Sequence, residues 1–205
     1  MLSGDNAVLV SMAVHRLPPH QRRSALLMGL SGSILLQILA TLVVAQLLAI
    51  PLLLGVGGML LCGVALNLLK EDEEEGPQVY AAERLGHAVW TILVANLLMS
   101  LDNVLAVASI GQGQPGLILF GLLFSIVILI TGSLFIADLM NKYPILVTLG
   151  AGILAWTAGR MIGADTVVRQ VAWAHLGADL QTGPLRFVLS ALTTAVVMAV
   201  PNWRK

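Results

Sequence analysis

The chain is built from apolar stretches that are too long for most soluble helices. From His87 to Ile110 the only formally charged side chain is Asp102. Comparable stretches cover Ser24–Ile50, Leu52–Leu69, Leu117–Leu139 and Ile145–Ile162, and a shorter one covers Leu185–Val200. A helix needs about 20 apolar residues to cross the hydrocarbon of a bilayer. An unclosed strand cannot satisfy its backbone there, so every stretch reads as a helix. Charged residues make up only 11% of the chain and mean hydropathy is +0.90, whereas a soluble domain carries about 25% charge. The expected fold is all-α, a polytopic membrane helical bundle, with residues 1–205 forming a single transmembrane domain.

Punctuation divides the stretches. Met1–Val14 is short for a span, and Asp5 sits almost at its start, so the first helix reads as truncated, with an apolar half-helix expected upstream. A basic loop with Pro18 and Pro19 follows. Pro51 closes the second segment, since proline cannot continue a helix without breaking it. Residues 70–86 form an acidic loop around Glu71–Glu75, residues 111–116 a Gly-rich turn, and residues 163–184 a linker to the final helix at 185–200. No signal peptide is recognisable. Cys62 stands alone, which excludes an intrachain disulfide and a thiolate cluster and leaves a small buried packing residue.

The chain repeats itself. Asp5-Asn6-Ala7-Val8 aligns with Asp102-Asn103-Val104-Leu105, Gly29 with Gly121, Pro51 with Pro144, Gly57 with Gly150 and Ala65 with Ala158. Repeat one spans 1–69 and repeat two 87–162. A period of about 95 residues is too long for a solenoid unit and suits half a transporter. Each half holds three segments, an odd number, so the second half enters the membrane from the opposite side. The expectation is two inverted three-helix repeats plus a C-terminal seventh helix. Eight of the eleven Lys and Arg residues fall on one side, in the first loop, the acidic loop, the 141–144 turn and the C-terminus. The positive-inside rule places that side in the cytoplasm.

Each repeat carries one Asp-Asn pair inside an apolar helix, where a charge costs roughly 2.5–3.5 kcal/mol and marks ion or proton paths. Antiparallel first helices would bring Asp5 and Asp102 together. Two close carboxylates repel, and a divalent cation removes the conflict. With Asn6 and Asn103 as neutral donors, the set is all oxygen and suits Mg²⁺, Ca²⁺ or Mn²⁺ rather than zinc or copper. Gly4 would let the backbone unwind, whereas the second repeat has Leu101 there. Asn96, about one and a half turns before Asp102 and off its face, reads equally as a ligand or as interhelical glue. The competing reading of each Asp is a helix cap or an interhelical hydrogen bond. Ser3 and Ser100 read as packing residues, Asp138 as interfacial, and the acidic run as a solvated loop. His15, His20, His87 and His175 form no ligand spacing, and nothing points to nucleic acid or to a required cofactor.

These residues resemble the TerC family of integral membrane proteins. The resemblance is carried by Ser3-Gly4-Asp5-Asn6-Ala7-Val8, by the basic loop with Leu17-Pro18 and His20-Gln21, by Met99-Ser100-Leu101-Asp102-Asn103-Val104, and by Leu154-Ala155-Trp156-Thr157-Ala158-Gly159. It implies a seven-span fold with paired repeats, in a family linked to manganese export, to metal supply for exported enzymes and to tellurium resistance. It therefore implies Mn²⁺ as the transported ion and a multi-pass protein of a bacterial inner membrane. It also implies an acidic half-helix before the first motif, and an Asp where this chain has Asn96. Two other classes compete. One is a non-transporting partner that hands metal to, or scaffolds, secretion machinery and so supplies metal to exported proteins; a homo-oligomer is open in either case. The other is an intramembrane aspartyl protease, which also needs two membrane aspartates. The protease is disfavoured because neither Gly-x-Gly-Asp at the second motif nor a Pro-Ala-Leu segment is present. An enzyme is therefore not expected.

Overall fold

The computed structural model describes residues 4–42, 50–73, 81–110, 115–176 and 185–199, with helical side chains left aside at 37–38, 40–42, 71–73, 81–84, 100–110, 115–127, 176 and 185–186. The described residues contain eight helices and no strand: α1 Gly4–Val14, α2 Pro19–Leu42, α3 Leu53–Glu73, α4 Ala81–Ile110, α5 Pro115–Lys142, α6 Ile145–Ala164, α7 Thr166–Leu176 and α8 Leu185–Ala199. Prolines open two of them. Pro19 and Pro115 occupy first helical positions, where the missing N–H costs nothing.

The helices outrun the apolar stretches. α3 carries Lys70–Glu73 as its last turn, and α4 starts at Ala81, so helix takes both flanks of the acidic segment. Charged side chains end the apolar run without ending the helix, because Lys and Glu are good helix formers. The 163–184 segment is not all loop, since α7 occupies Thr166–Leu176. α4 passes through Leu101 unbroken, and Gly4 is already helical, so neither motif lies at an unwound break among the described residues.

The helices form two compact units. The first comprises 1–44 and 76–147, and the second 45–75 and 148–205. Each repeat therefore gives its first two helices to one unit and its third to the other. In the first unit α1 packs on α5 and α4, and α2 packs on α4 and α5. α1 and α5 run parallel: Ala7 and Ser11 meet Ser133, and further along both helices His15 meets Asn141. Gly29 admits the close approach of α2 to α4, since a Cβ there would stand 2.8 Å from the Ile92 side chain.

In the second unit small residues again set the distance. A Cβ on Gly58 of α3 would lie 2.7 Å from the Ala158 carbonyl of α6, and one on Gly159 would lie 2.7 Å from the Ser190 Cα of α8. Thr193 donates from Oγ1 to the Ala155 carbonyl at 3.0 Å, tying α8 to α6. The repeat-matched pairs Gly57/Gly150 and Ala65/Ala158 are all buried.

The outer faces are apolar. Ile145, Leu149 and Ile153 form an exposed stripe on α6, and Val188, Leu192 and Val196 form another on α8. The interior instead holds Ser11, Ser33, Ser133 and Ser190, each fully buried. Polar residues within and hydrocarbon without is the arrangement lipid favours. Among the described residues, Leu53–Lys70 and Ile145–Ala164 are long and apolar enough to cross a membrane.

Candidate metal centre

Asp5 and Asn6 lie in the first turn of α1, where the helix dipole favours a carboxylate. Both are partly buried. The Asn6 amide donates to Asp5 Oδ1 at 3.1 Å, so one carboxylate oxygen folds back on the helix start. That contact belongs to the capping reading. The neighbouring side chain differs: Asn6 Oδ1 is buried and has no hydrogen-bond partner. A buried amide oxygen left unmet costs roughly 1–3 kcal/mol, so its persistence asks for an explanation such as an ion.

The second motif lies on α4, which packs against α1. The backbone places 102 and 103 in the C-terminal part of that helix, and the side chains of Asp102 and Asn103 lie outside the described residues. Asn96, 7% exposed, sits one turn beyond Ile92, the residue packed on Gly29 of α2. At 3.6 residues per turn it is about 120° around α4 from position 102. Among the described residues no group of three His, Cys, Asp or Glu side chains is placed to hold a metal.

Two buried serines between α1 and α5 were passed over in the sequence reading. Ser11 donates from Oγ toward the Ala7 carbonyl at 2.5 Å and the Ser133 carbonyl at 3.0 Å. Ser133 of α5 donates from Oγ toward the same Ala7 carbonyl at 3.4 Å. Both serines are fully buried, and Ser11 lies five residues beyond Asn6 on α1. Nothing in the bare sequence separates them from packing serines.

The far end of this seam is fastened by a cluster the sequence presents only as a basic loop. Arg22 donates from Nε to the Leu17 carbonyl at 2.8 Å, from one terminal nitrogen to the His15 carbonyl at 2.8 Å, and from the other to Asp138 of α5. Asn141 Nδ2 adds a second donor to His15 O at 3.0 Å. Asp138 is thus the partner of Arg22 across the seam. The basic loop after α1 and the Lys142 turn after α5 consequently share one end of the unit.

Asp165 is a second missed residue, in the other unit. It is 3% exposed. Its Oδ1 accepts the Val167 and Val168 amides at 2.9 and 3.3 Å, capping α7, and its Oδ2 accepts the Gly55 amide at 3.0 Å, in the first turn of α3. An Asp just after an apolar helix and before Thr-Val-Val is an N-cap signal, so the α7 cap was readable. The bond to Gly55 was not.

Apolar outer faces around buried hydroxyls define an all-helical integral membrane protein. The chain belongs to the integral membrane protein TerC family, whose family model matches residues 1–204. It is similar to the uncharacterized membrane protein YjbE of Bacillus subtilis, 35% identical over 198 residues, 97% of this chain and 87% of that protein. It is also similar to the inner membrane protein YgdQ of Escherichia coli K12, 26% identical over 166 residues, 70% of this chain and 68% of that one. No solved structure matches the chain.

Proposed function

We propose that this protein moves a divalent cation, Mn²⁺ above all, out of the cytoplasm through a mid-membrane site made by Asp5, Asn6, Asp102 and Asn103. One observation carries the reading: Asn6 Oδ1 is buried without a partner, beside Asp5, on a helix packed against the helix that bears the second Asp-Asn pair. A cation bound there would satisfy the amide oxygen and separate the two carboxylate charges. The ion is cargo, and no resident cofactor or enzymatic step is part of the reading.

Helix directions support the topology. If spans alternate and each repeat has three, the first and fifth run parallel, as α1 and α5 do. The first span of repeat two then runs against α1, as an inverted repeat demands. The basic loops after α1 and α5 lie at one end, which the positive-inside rule assigns to the cytoplasm together with the C-terminus. The name of the relative YgdQ supports an inner membrane. Asn96 is better read as glue between α4 and α2 than as a ligand, given its stripe.

The test is Mn²⁺ flux into proteoliposomes holding the purified protein. Asp102→Asn should abolish it, because one remaining carboxylate leaves a +2 ion underpaired in a low-dielectric site. Asn103→Ala should weaken it less, because water can replace a neutral donor. Full flux with Asp102→Asn would remove that carboxylate from the site. Absence of flux in the wild type, with Mn²⁺ binding retained, would favour a protein that holds metal for a partner.

A further inference from the structure

A groove at one end of the second unit is used neither by the candidate metal centre nor by the helix seams. Asp165 accepts the Gly55 amide at 3.0 Å while capping α7, so the start of α7 is pinned beside the first turn of α3. α3 starts at Leu53 and α6 ends at Ala164, and among the described residues these are the two helices long and apolar enough to cross a membrane. α7 therefore begins at the depth where spans end, the boundary between hydrocarbon and headgroups. Its sequence suits that boundary. Thr166, Gln170 and Trp173 form one exposed stripe at helical spacing, and tryptophan favours the membrane interface.

Val167 and Val171 lie on another side of α7. There the helix and Leu52 border an open groove of about 530 Å³, lined by Leu52, Val167, Val168, Val171, Ala172 and His175. That volume falls in the range of about 300–1,000 Å³ that holds a small molecule. Only His175 among the six has a polar side chain. Leu52 and Val171 remain 44% and 53% exposed. Past Leu52 the exposed apolar residues continue along α3 as Val56, Met59 and Leu60. The groove is thus the head of an apolar track on a helix of membrane-crossing length.

The backbone of Leu52 supplies a second, independent observation. Its φ is 63°, in the left-handed region that costs energy for a residue with a bulky side chain. It follows Pro51 in a turn, where positive φ selects Gly or Asn. The repeat does not demand this strain, since Ile145, the matching residue after Pro144, has no positive φ. Strain of this kind gathers at ligand clamps. Here it sets a half-exposed leucine as the one lining residue outside α7.

We infer that the groove seats an acyl chain of a membrane phospholipid, clamped between Leu52 and the Val167–Val171 side of α7. An acyl chain fills an apolar lining without leaving a polar group of its own unmet, whereas a peptide or a polar metabolite would find only His175 to bond. The bilayer supplies such chains at the height where the groove opens. The inference is independent of the transport reading.

The test measures lipid that survives extraction. Protein reconstituted in phosphatidylethanolamine–phosphatidylglycerol nanodiscs and then transferred to detergent should retain a phospholipid in native mass spectrometry. Benzoylphenylalanine placed at position 171 should photo-crosslink that phospholipid, and the same group at position 170 should not. Leu52→Asn, which suits a positive φ, and Val171→Gln, at an exposed helical position, should each lower the retained phospholipid about fivefold by removing apolar contact. Gln170→Ala should leave it unchanged. Retention at the wild-type level in both Leu52→Asn and Val171→Gln would overturn the inference, as would an equal fall in Gln170→Ala. A crosslink from position 171 to this chain or to a second copy would also overturn it, by giving the groove a different occupant.

Discussion

Replacing Asp165 with alanine should destabilise the protein by about 2–4 kcal/mol without touching the candidate metal centre. The figure comes from two separate losses. Asp165 caps α7 through Oδ1, and removing an N-cap costs about 0.5–2 kcal/mol. Its Oδ2 satisfies the Gly55 amide in the first turn of α3, and leaving that donor buried without an acceptor costs about 1–3 kcal/mol. At 3% exposure, water does not readily replace the carboxylate. Asp165→Asn divides the two terms. Its carbonyl can still cap α7, but its NH₂ then faces the Gly55 N–H, donor against donor, so about half of the loss should remain. The assay is reversible unfolding in mixed micelles, followed by circular dichroism as the denaturing detergent fraction rises. A change in Asp165→Ala of less than about 0.5 kcal/mol, the scatter of ordinary surface substitutions, would refute the double-cap account.

Three further outcomes follow from the packing. Gly58→Ala should cost about 1–3 kcal/mol by the same assay, because its Cβ would press on the Ala158 carbonyl, which is backbone and cannot rotate away. Gly63→Ala, where nothing lies within 4 Å, should instead gain up to about 1 kcal/mol, and equal shifts for the two would discount the contact. Arg22→Lys should destabilise by about 1–3 kcal/mol, since an ammonium cannot serve the Leu17 and His15 carbonyls and Asp138 at once. Asp138→Asn should cost less than about 1 kcal/mol, because that carboxylate is largely exposed, and the reverse ranking would contradict the anchor assignment. Asn96→Ala should lower stability by about 1 kcal/mol and leave Mn²⁺ affinity unchanged, as glue would; a loss of affinity measured by calorimetry would return Asn96 to the site.

The membrane class and the helices were legible because the signals are long. Runs of apolar residues sum many small preferences, so the positions of α3, α5 and α6 could be read to within a few residues. The ends could not, because Lys70–Glu73 stop the hydropathy while favouring the helix. α7 was lost for a related reason. At 11 residues, with Arg169 and His175 in it, the segment shows no bilayer-length run, and its Asp165 cap was the only local mark. At the candidate site the chemistry was legible as residue types: carboxylate beside amide, twice, in apolar helices. The α1–α5 seam was not, because nothing in the sequence shows that Ser133 reaches the Ala7 carbonyl across it. Arg22 was counted as one more cytoplasmic cation, and only its three partners show that it is also a bolt between α2 and α5.

The two repeats match in their Asp-Asn pairs and in several small packing residues, and differ at the polar anchor of the α1–α5 seam. Exchanging the halves turns the α1–α5 pair into the α4–α2 pair, and both pairs pack in the structure. Asp5-Asn6 becomes Asp102-Asn103. The Arg22–Asp138 anchor has no such image. Positions matching Asp138 fall at Ala45 or Gln46, and residues 114–120, which match Arg22, contain no cation. The α1–α5 seam is therefore tied at its basic end by a guanidinium that bonds two carbonyls and a carboxylate, whereas its counterpart has no residues for the same tie. The α2–α4 seam is held instead by close packing, with Gly29 of α2 set directly against the Ile92 side chain of α4. One seam is thus fastened by a polar anchor and its repeat-related counterpart by the approach of two helix surfaces.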